Sequence, residues 1–205
     1  MTLSDLNSLD YLLEIPEAFP SQFCKDLVTS RKNSKLEPFE DIVCWRGKNL
    51  YKEWHHLFDV VDNYAYPHIS KYLSQFFNSY SYSDIHLEGI GISRQRSNDY
   101  DRLHYDTNIV NDNNNLKIRP FVFLVYLNGD FEGGQLVFPS QKRVIEPKEG
   151  KVIIFPCSYM FPHRVCSIAK GDRFSLRLNY YFNKADIDSN LDYWDNSKLG
   201  VQDIK

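Results

Sequence analysis

The chain has little cysteine: four residues in 205, Cys24, Cys44, Cys157 and Cys166, with no Cys-x-x-Cys pair. That spacing argues against a structural zinc site, and the count is too low for a disulfide scaffold. No apolar run is long enough to span a bilayer, so no membrane partner is expected. The opening Met1-Thr-Leu-Ser-Asp-Leu-Asn7 lacks the basic start and apolar stretch of a secretory signal, which predicts a cytoplasmic protein. Basic residues are not in excess: 24 Lys and Arg face 27 Asp and Glu, for a net charge of −3. A general nucleic-acid binder is therefore not expected. Internal repeats and low-complexity linkers are also missing, and nothing in the sequence specifies an oligomeric state.

Aromatic residues are abundant, with fourteen Tyr and fourteen Phe, and they favour strands. The hydrophobic pattern divides the chain into three parts of a single domain. Residues 1–84 read as a leading strand near Tyr11–Ile15 and two supporting helices. The first helix starts at Ser21 as N-cap and runs through Phe23, Leu27 and Val28. The second carries an apolar stripe from Leu57 to Phe77, with Pro67 expected to start, kink or divide it. Residues 31–50 between them look charged and irregular. Residues 85–183 read as a strand-rich core, with strands at 85–94, 121–127, 135–138, 142–145, 151–155 and 173–182. Asn111–Asn115 is expected to be a loop because Asn and Asp favour turns. Residues 184–205 form a polar tail. Short strands at this spacing predict a mainly β (α+β) sandwich or jelly roll.

The chemistry concentrates in three segments. Leu103-His104-Tyr105-Asp106 contains His-x-Asp, and residues i and i+2 of an extended chain point to one side. One imidazole and one carboxylate can then meet at a single metal. By itself this is a weak signal: six His and eighteen Asp give roughly half such a pair by chance. His163, in Phe161-Pro-His-Arg-Val165, supplies a second imidazole. Two His and one carboxylate make a facial triad with positions left open on the metal, a set that iron, zinc or a redox-silent metal can share. The third segment is Gly171-Asp-Arg173-Phe-Ser175. On that strand Arg173, Ser175, Arg177 and Asn179 share one face, and Phe174, Leu176, Leu178 and Tyr180 share the other. Two arginines on one face mean either an exposed wet surface or a buried anion site, because buried arginine is costly unless paired. Arg173 suits a two-point grip on a carboxylate, with the Ser175 hydroxyl adding a hydrogen bond.

His104-x-Asp106, His163 and Arg173 ten residues later resemble the Fe(II)- and 2-oxoglutarate-dependent oxygenases, and most closely their prolyl 4-hydroxylase-like branch. Further stretches fit in order. Tyr126-Leu127-Asn128 resembles the family's Tyr-Leu-Asn strand end, and Phe131–Pro139 its Gly-Gly hairpin. Glu146–Phe155 resembles the strand leading to the second His, and Ile15–Leu27 the opening of the domain. The resemblance covers most of residues 12–183. It implies a double-stranded β-helix braced by N-terminal helices. It also implies Fe(II) on His104, Asp106 and His163, with 2-oxoglutarate held by Arg173 together with Tyr126 or Ser175. Oxygen would be the other co-substrate, with succinate and carbon dioxide formed as a substrate C–H is hydroxylated. Because Asp106 keeps the carboxylate that related halogenases replace with a small residue, hydroxylation is expected rather than chlorination. One departure stands out: Arg94 occupies the position, ten before the first His, where the family often has tyrosine.

For the substrate, Arg94, Arg96, Tyr100, Arg102 and Arg177 are the candidate contacts, with Lys117 and Arg119 close in sequence. They suggest an anionic group, such as the carboxylate of a free amino acid or related metabolite. The alternatives are a prolyl or other side chain of a peptide or protein, and a cupin-like metal-binding jelly roll that is not an oxygenase. The other histidines, His55, His56, His68 and His86, are expected to be structural, as are Cys157 and Cys166.

Overall fold

The structure is a computed structural model. It describes residues 11–33, 42–45, 55–77, 80–107, 109–112 and 115–182. The tail beyond residue 182 and much of the 31–50 segment lie outside these.

The elements run β1 (Leu13–Ile15), α1 (Ser21–Asn33), β2 (Ile42–Trp45), α2 (Leu57–Phe76), β3 (Ile85–Gln95), β4 (Asp101–His104), β5 (Ile109–Asp112), β6 (Asn115–Ile118), β7 (Phe121–Tyr126), β8 (Glu132–Gly133), β9 (Leu136–Phe138), β10 (Arg143–Ile145), β11 (Val152–Pro156), β12 (His163–Val165), β13 (Ile168–Lys170) and β14 (Arg173–Phe182). Strands β1-β11-β7-β14-β3-β2 form a six-stranded sheet, and β10-β9-β12-β4 form a four-stranded one. Every pairing is antiparallel. This is the jelly roll expected from the strand pattern, braced by two helices.

Two apolar clusters hold the layers together. The outer face of the large sheet packs on the helices: Cys24 and Leu27 of α1 and Val61, Ala65, Ile69, Tyr72 and Leu73 of α2 meet Ile90, Ile92, Phe121, Phe123, Val125, Leu176 and Leu178. A second cluster, including Val122, Leu136, Phe138, Ile145, Ile153, Phe155, Phe161 and Val165, fills the space between the sheets. Strand β7 contributes to both clusters, which is why its sequence is an unbroken apolar run rather than an alternation.

Several local expectations change. Ser21 is the first residue of α1 rather than its cap, and its hydroxyl donates to Glu149 Oε1 at 2.5 Å. Pro67 neither starts nor divides α2, which is continuous across it. Pro67 and Asn63 are both exposed, so the carbonyl that loses its intrahelical partner is open to water. The Asn-rich stretch forms a hairpin: β5 pairs with β6 in the register Ile109↔Ile118 to Asp112↔Asn115. Residues 113–114 at its turn lie outside the described set. Within 31–50, Ile42–Trp45 is a strand paired to β3.

Candidate active site

Strands β4 and β12 place the two histidines. They pair so that His163 lies directly opposite His104, and the imidazole centroids are 4.4 Å apart. Asp106 lies just past the end of β4, with its Oδ2 at 3.4 Å from His163 Nε2. One ligand atom from each of the three residues falls within 4.8 Å of the others.

Hydrogen bonds fix which nitrogen of each ring is free. His104 Nδ1 lies 2.7 Å from the Arg102 carbonyl oxygen, and His163 Nδ1 lies 3.0 Å from that of Phe161. A carbonyl can only accept, so both Nδ1 atoms carry the proton and both Nε2 lone pairs are available to a metal. His163 is 6% exposed and is packed by Phe138 and Phe155. That burial pushes its pKa down, against the opposing pull of the Asp106 carboxylate. Neutral imidazole is the form a metal requires.

Asp106 is oriented by a residue that the sequence analysis grouped only loosely with possible substrate contacts. Arg119 Nη2 donates to Asp106 Oδ1 at 3.1 Å and to the Thr107 carbonyl at 3.3 Å, while its Nη1 donates to Asn179 Oδ1 at 3.2 Å. Arg119 therefore ties the carboxylate to β14 and leaves Oδ2 turned towards the histidines. Two Nε2 atoms and one carboxylate oxygen fit an octahedral metal with three open positions.

A cavity of about 660 Å³ opens beside this cluster, and His104, Asp106, His163, Arg173, Ser175 and Arg177 all line it. Arg173 is 3% exposed. Its Nη1 donates to Gln95 Oε1, its Nε has no hydrogen-bond partner among the described residues, and its guanidinium lies 5.1 Å from the centre of the Tyr126 ring. Space for this side chain comes from Gly134, whose φ is +70° and where a Cβ would stand 3.2 Å from Arg173 Cδ. A buried guanidinium with an unmet donor, facing a cavity, calls for an anion. Ser175 pairs backbone to backbone with Tyr126. Tyr126 itself is fully buried, with the Arg173 guanidinium over its ring. Its hydroxyl makes no hydrogen bond of good geometry among the described residues. Burial pushes its pKa up, with Arg173 opposing.

The other candidates separate. Tyr100 and Arg102 are exposed and sit on the cavity wall. Arg94 is also on the wall, but its guanidinium bonds Asp172 Oδ2 at 2.6 and 3.0 Å. Arg96 is not on the wall; its backbone N–H donates to Asp99 Oδ2. Gln95 and Asn128 escaped the sequence reading as site-shaping residues. Asn128 receives the Phe174 N–H on its Oδ1 and donates to the Asp172 carbonyl, which fixes the start of β14. Its place in Tyr-Leu-Asn was the available signal.

Comparisons with known proteins agree with this geometry. The sequence model of the 2OG-Fe(II) oxygenase superfamily matches residues 90–181, the stretch that holds all three candidate ligands and Arg173. A 65-residue stretch is 37% identical to prolyl 3-hydroxylase 2 of Gallus gallus, covering 29% of this chain and 9% of that much longer protein. The viral collagen prolyl hydroxylase of Paramecium Bursaria Chlorella virus-1, solved with 2-oxoglutarate, has a similar fold. Its TM-score is 0.63 at 18% identity, over 85% of this chain and 97% of that one. A Trichoplax adhaerens prolyl hydroxylase, solved with a hypoxia inducible factor peptide, gives a TM-score of 0.58 at 18% identity, over 92% and 90%. The region that holds the site is thus similar to the 2OG-Fe(II) oxygenase superfamily, and the fold is similar to that of prolyl hydroxylases.

Proposed function

We propose that the protein hydroxylates a residue, in the first instance proline, within a peptide or protein. The observation that carries this reading is the rim of the site. Tyr100 lines the cavity, Tyr105 and Tyr159 lie next to the site, and all three are 55–76% exposed. A second hollow of about 330 Å³ adjoins Asp106 and is lined by Tyr105, Thr107, Cys157, Ser158 and Tyr159. Exposed aromatic side chains in such a patch suit contact with an extended polypeptide.

Free amino acids fit less well. Three of the six cations expected to receive a substrate carboxylate have other duties. Arg94 pairs with Asp172, Lys117 with Glu88 and Arg119 with Asp106. The similar proteins, a collagen prolyl hydroxylase and a prolyl hydroxylase solved with a hypoxia inducible factor peptide, support the same reading.

His104, Asp106 and His163 would hold the iron. Bound there, Fe(II) with 2-oxoglutarate and oxygen supplies the oxidation, which yields succinate, carbon dioxide and a hydroxylated C–H. The chain's own residues bind and orient. Arg119 keeps the Asp106 carboxylate aimed. The two backbone carbonyls hold the imidazoles in the required tautomer. Arg173 and Ser175 receive the far carboxylate of 2-oxoglutarate, and the apolar walls formed by Val122, Leu124, Leu136 and Phe155 keep water from the reacting centre.

The test is a mass-spectrometric screen with Fe(II) and 2-oxoglutarate. Proline-containing peptides and free amino acids would be offered side by side. Gain of one oxygen on a peptidyl proline is expected; oxidation of free amino acids alone would overturn the reading.

A further inference from the structure

One half-buried arginine of the cavity wall, Arg177, has no role in the site as described. Its Nε is sealed from solvent without a hydrogen-bond partner, and no ion pair engages it among the described residues. The other wall arginines of β3 and β14 differ: Arg94 has Asp172 and Arg173 has Gln95. A sealed guanidinium donor without a partner carries a desolvation penalty that a bound anion would relieve.

The position of Arg177 along β14 tells which anion. Residues 173, 175, 177 and 179 share the cavity face and are fixed by register, with Arg173 opposite Gln95, Ser175 opposite Ser93, Arg177 opposite Gly91 and Asn179 opposite Gly89. Asn179 is joined through Arg119 to Asp106, so the 179 end of the row is the metal end. Arg177 is the next residue of this face before Asn179, which sets it towards that end. A dicarboxylate with one end at the metal and the other at Arg173 therefore passes Ser175 and begins beside Arg177. Gly91 leaves room for the guanidinium: even a Cβ there would stand 3.6 Å from Arg177 Nη2, so a longer side chain would compete for the same space.

We propose that Arg177 binds the metal-side carboxylate of 2-oxoglutarate, so that β14 grips the co-substrate at both ends with arginines four residues apart. This rests on the co-substrate reading of the cavity and is independent of whether the substrate is a peptide.

Two ligands separate the ends. 2-Oxoglutarate carries both carboxylates, whereas 2-oxobutyrate keeps the keto acid and lacks the far one. Calorimetric titration of the Ni(II)-loaded protein with each would be compared for wild type, R173Q and R177Q. R173Q should weaken 2-oxoglutarate and leave 2-oxobutyrate unchanged, erasing the preference between them. R177Q should weaken both by the same factor, about 10- to 100-fold for loss of a charge-assisted contact. R177K, which keeps the charge but not the planar fork, should fall several-fold for both; it carries the comparison alone if thermal unfolding shows R177Q to be misfolded. Wild-type affinity of the Arg177 variants for both ligands would overturn the proposal, as would a loss confined to 2-oxoglutarate. If wild type itself binds neither ligand, the co-substrate reading fails first, and that result is distinct from a failure of Arg177 alone.

Discussion

The two faces of β14 are buried in opposite ways. One presents Phe174, Leu176, Leu178 and Tyr180, which join the apolar cluster beneath the helices. The other presents Arg173, Ser175, Arg177 and Asn179 to the cavity side, and three of these are among the buried polar residues of the protein. The apolar face gains stability by leaving water. The polar face gives some of that up, holding charge and hydrogen-bonding capacity away from solvent with part of it unmet. The contrast teaches that the rigid apolar side is the support and the polar side is the instrument, joined in one backbone so that each arginine is held by the register of its neighbours.

The comparison breaks most sharply at the metal. His163→Ala should abolish stoichiometric Fe(II) binding and bring turnover below detection, with the far-UV circular dichroism retained. Leu178→Ala, on the opposite face, should lower stability by ~2–5 kcal/mol, read as a shift of the urea midpoint at unchanged slope. Survival of Fe(II) binding in that variant at low denaturant would separate support from instrument. Arg119→Gln should weaken metal affinity or activity by about 10- to 100-fold, as loss of an orienting partner does, while thermal stability moves little. At the rim, Tyr159→Ala should raise the KM for a peptide several-fold, with stability within about 0.5 kcal/mol of wild type; an unchanged KM would remove Tyr159 from the substrate path.

The smallest effect concerns pH. Burial lowers the pKa of His68 and of His163 from the ordinary value of 6.5. In the metal-free protein the unfolded chain then binds more protons below about pH 6.5, so stability falls as the pH drops through that value towards the folded pKa. His68→Gln should flatten part of that slope in thermal unfolding between about pH 7 and 5; an identical slope would show that His68 does not contribute.

Much of this was legible in residue order. Continuous apolar runs announced β7 and β11 and alternation announced β14, while His104, Asp106, His163 and Arg173, singled out in the sequence, line one cavity. The short strands β8, β12 and β13 were not announced, because two or three residues carry no measurable periodicity. The β5–β6 hairpin was hidden because Asn and Asp favour turns, and only pairing with a partner strand overrides that preference. The uninterrupted course of α2 through Pro67 depended on which face of the helix met water, a tertiary matter.

The sequence by itself determined which chemistry was present: two imidazoles, one carboxylate and an arginine-bearing strand, with spacings that local geometry could interpret. Only the tertiary structure decided how the remaining charges were spent. It sent Arg119 to Asp106 and Arg94 to Asp172, packed Tyr126 against Arg173, and left Arg177 on the cavity wall with its Nε unpartnered among the described residues. The physical reason is that a ligand motif follows from covalent spacing along one or two strands. The pairing of a long charged side chain instead depends on which of several distant partners the packed sheets bring within a few ångströms.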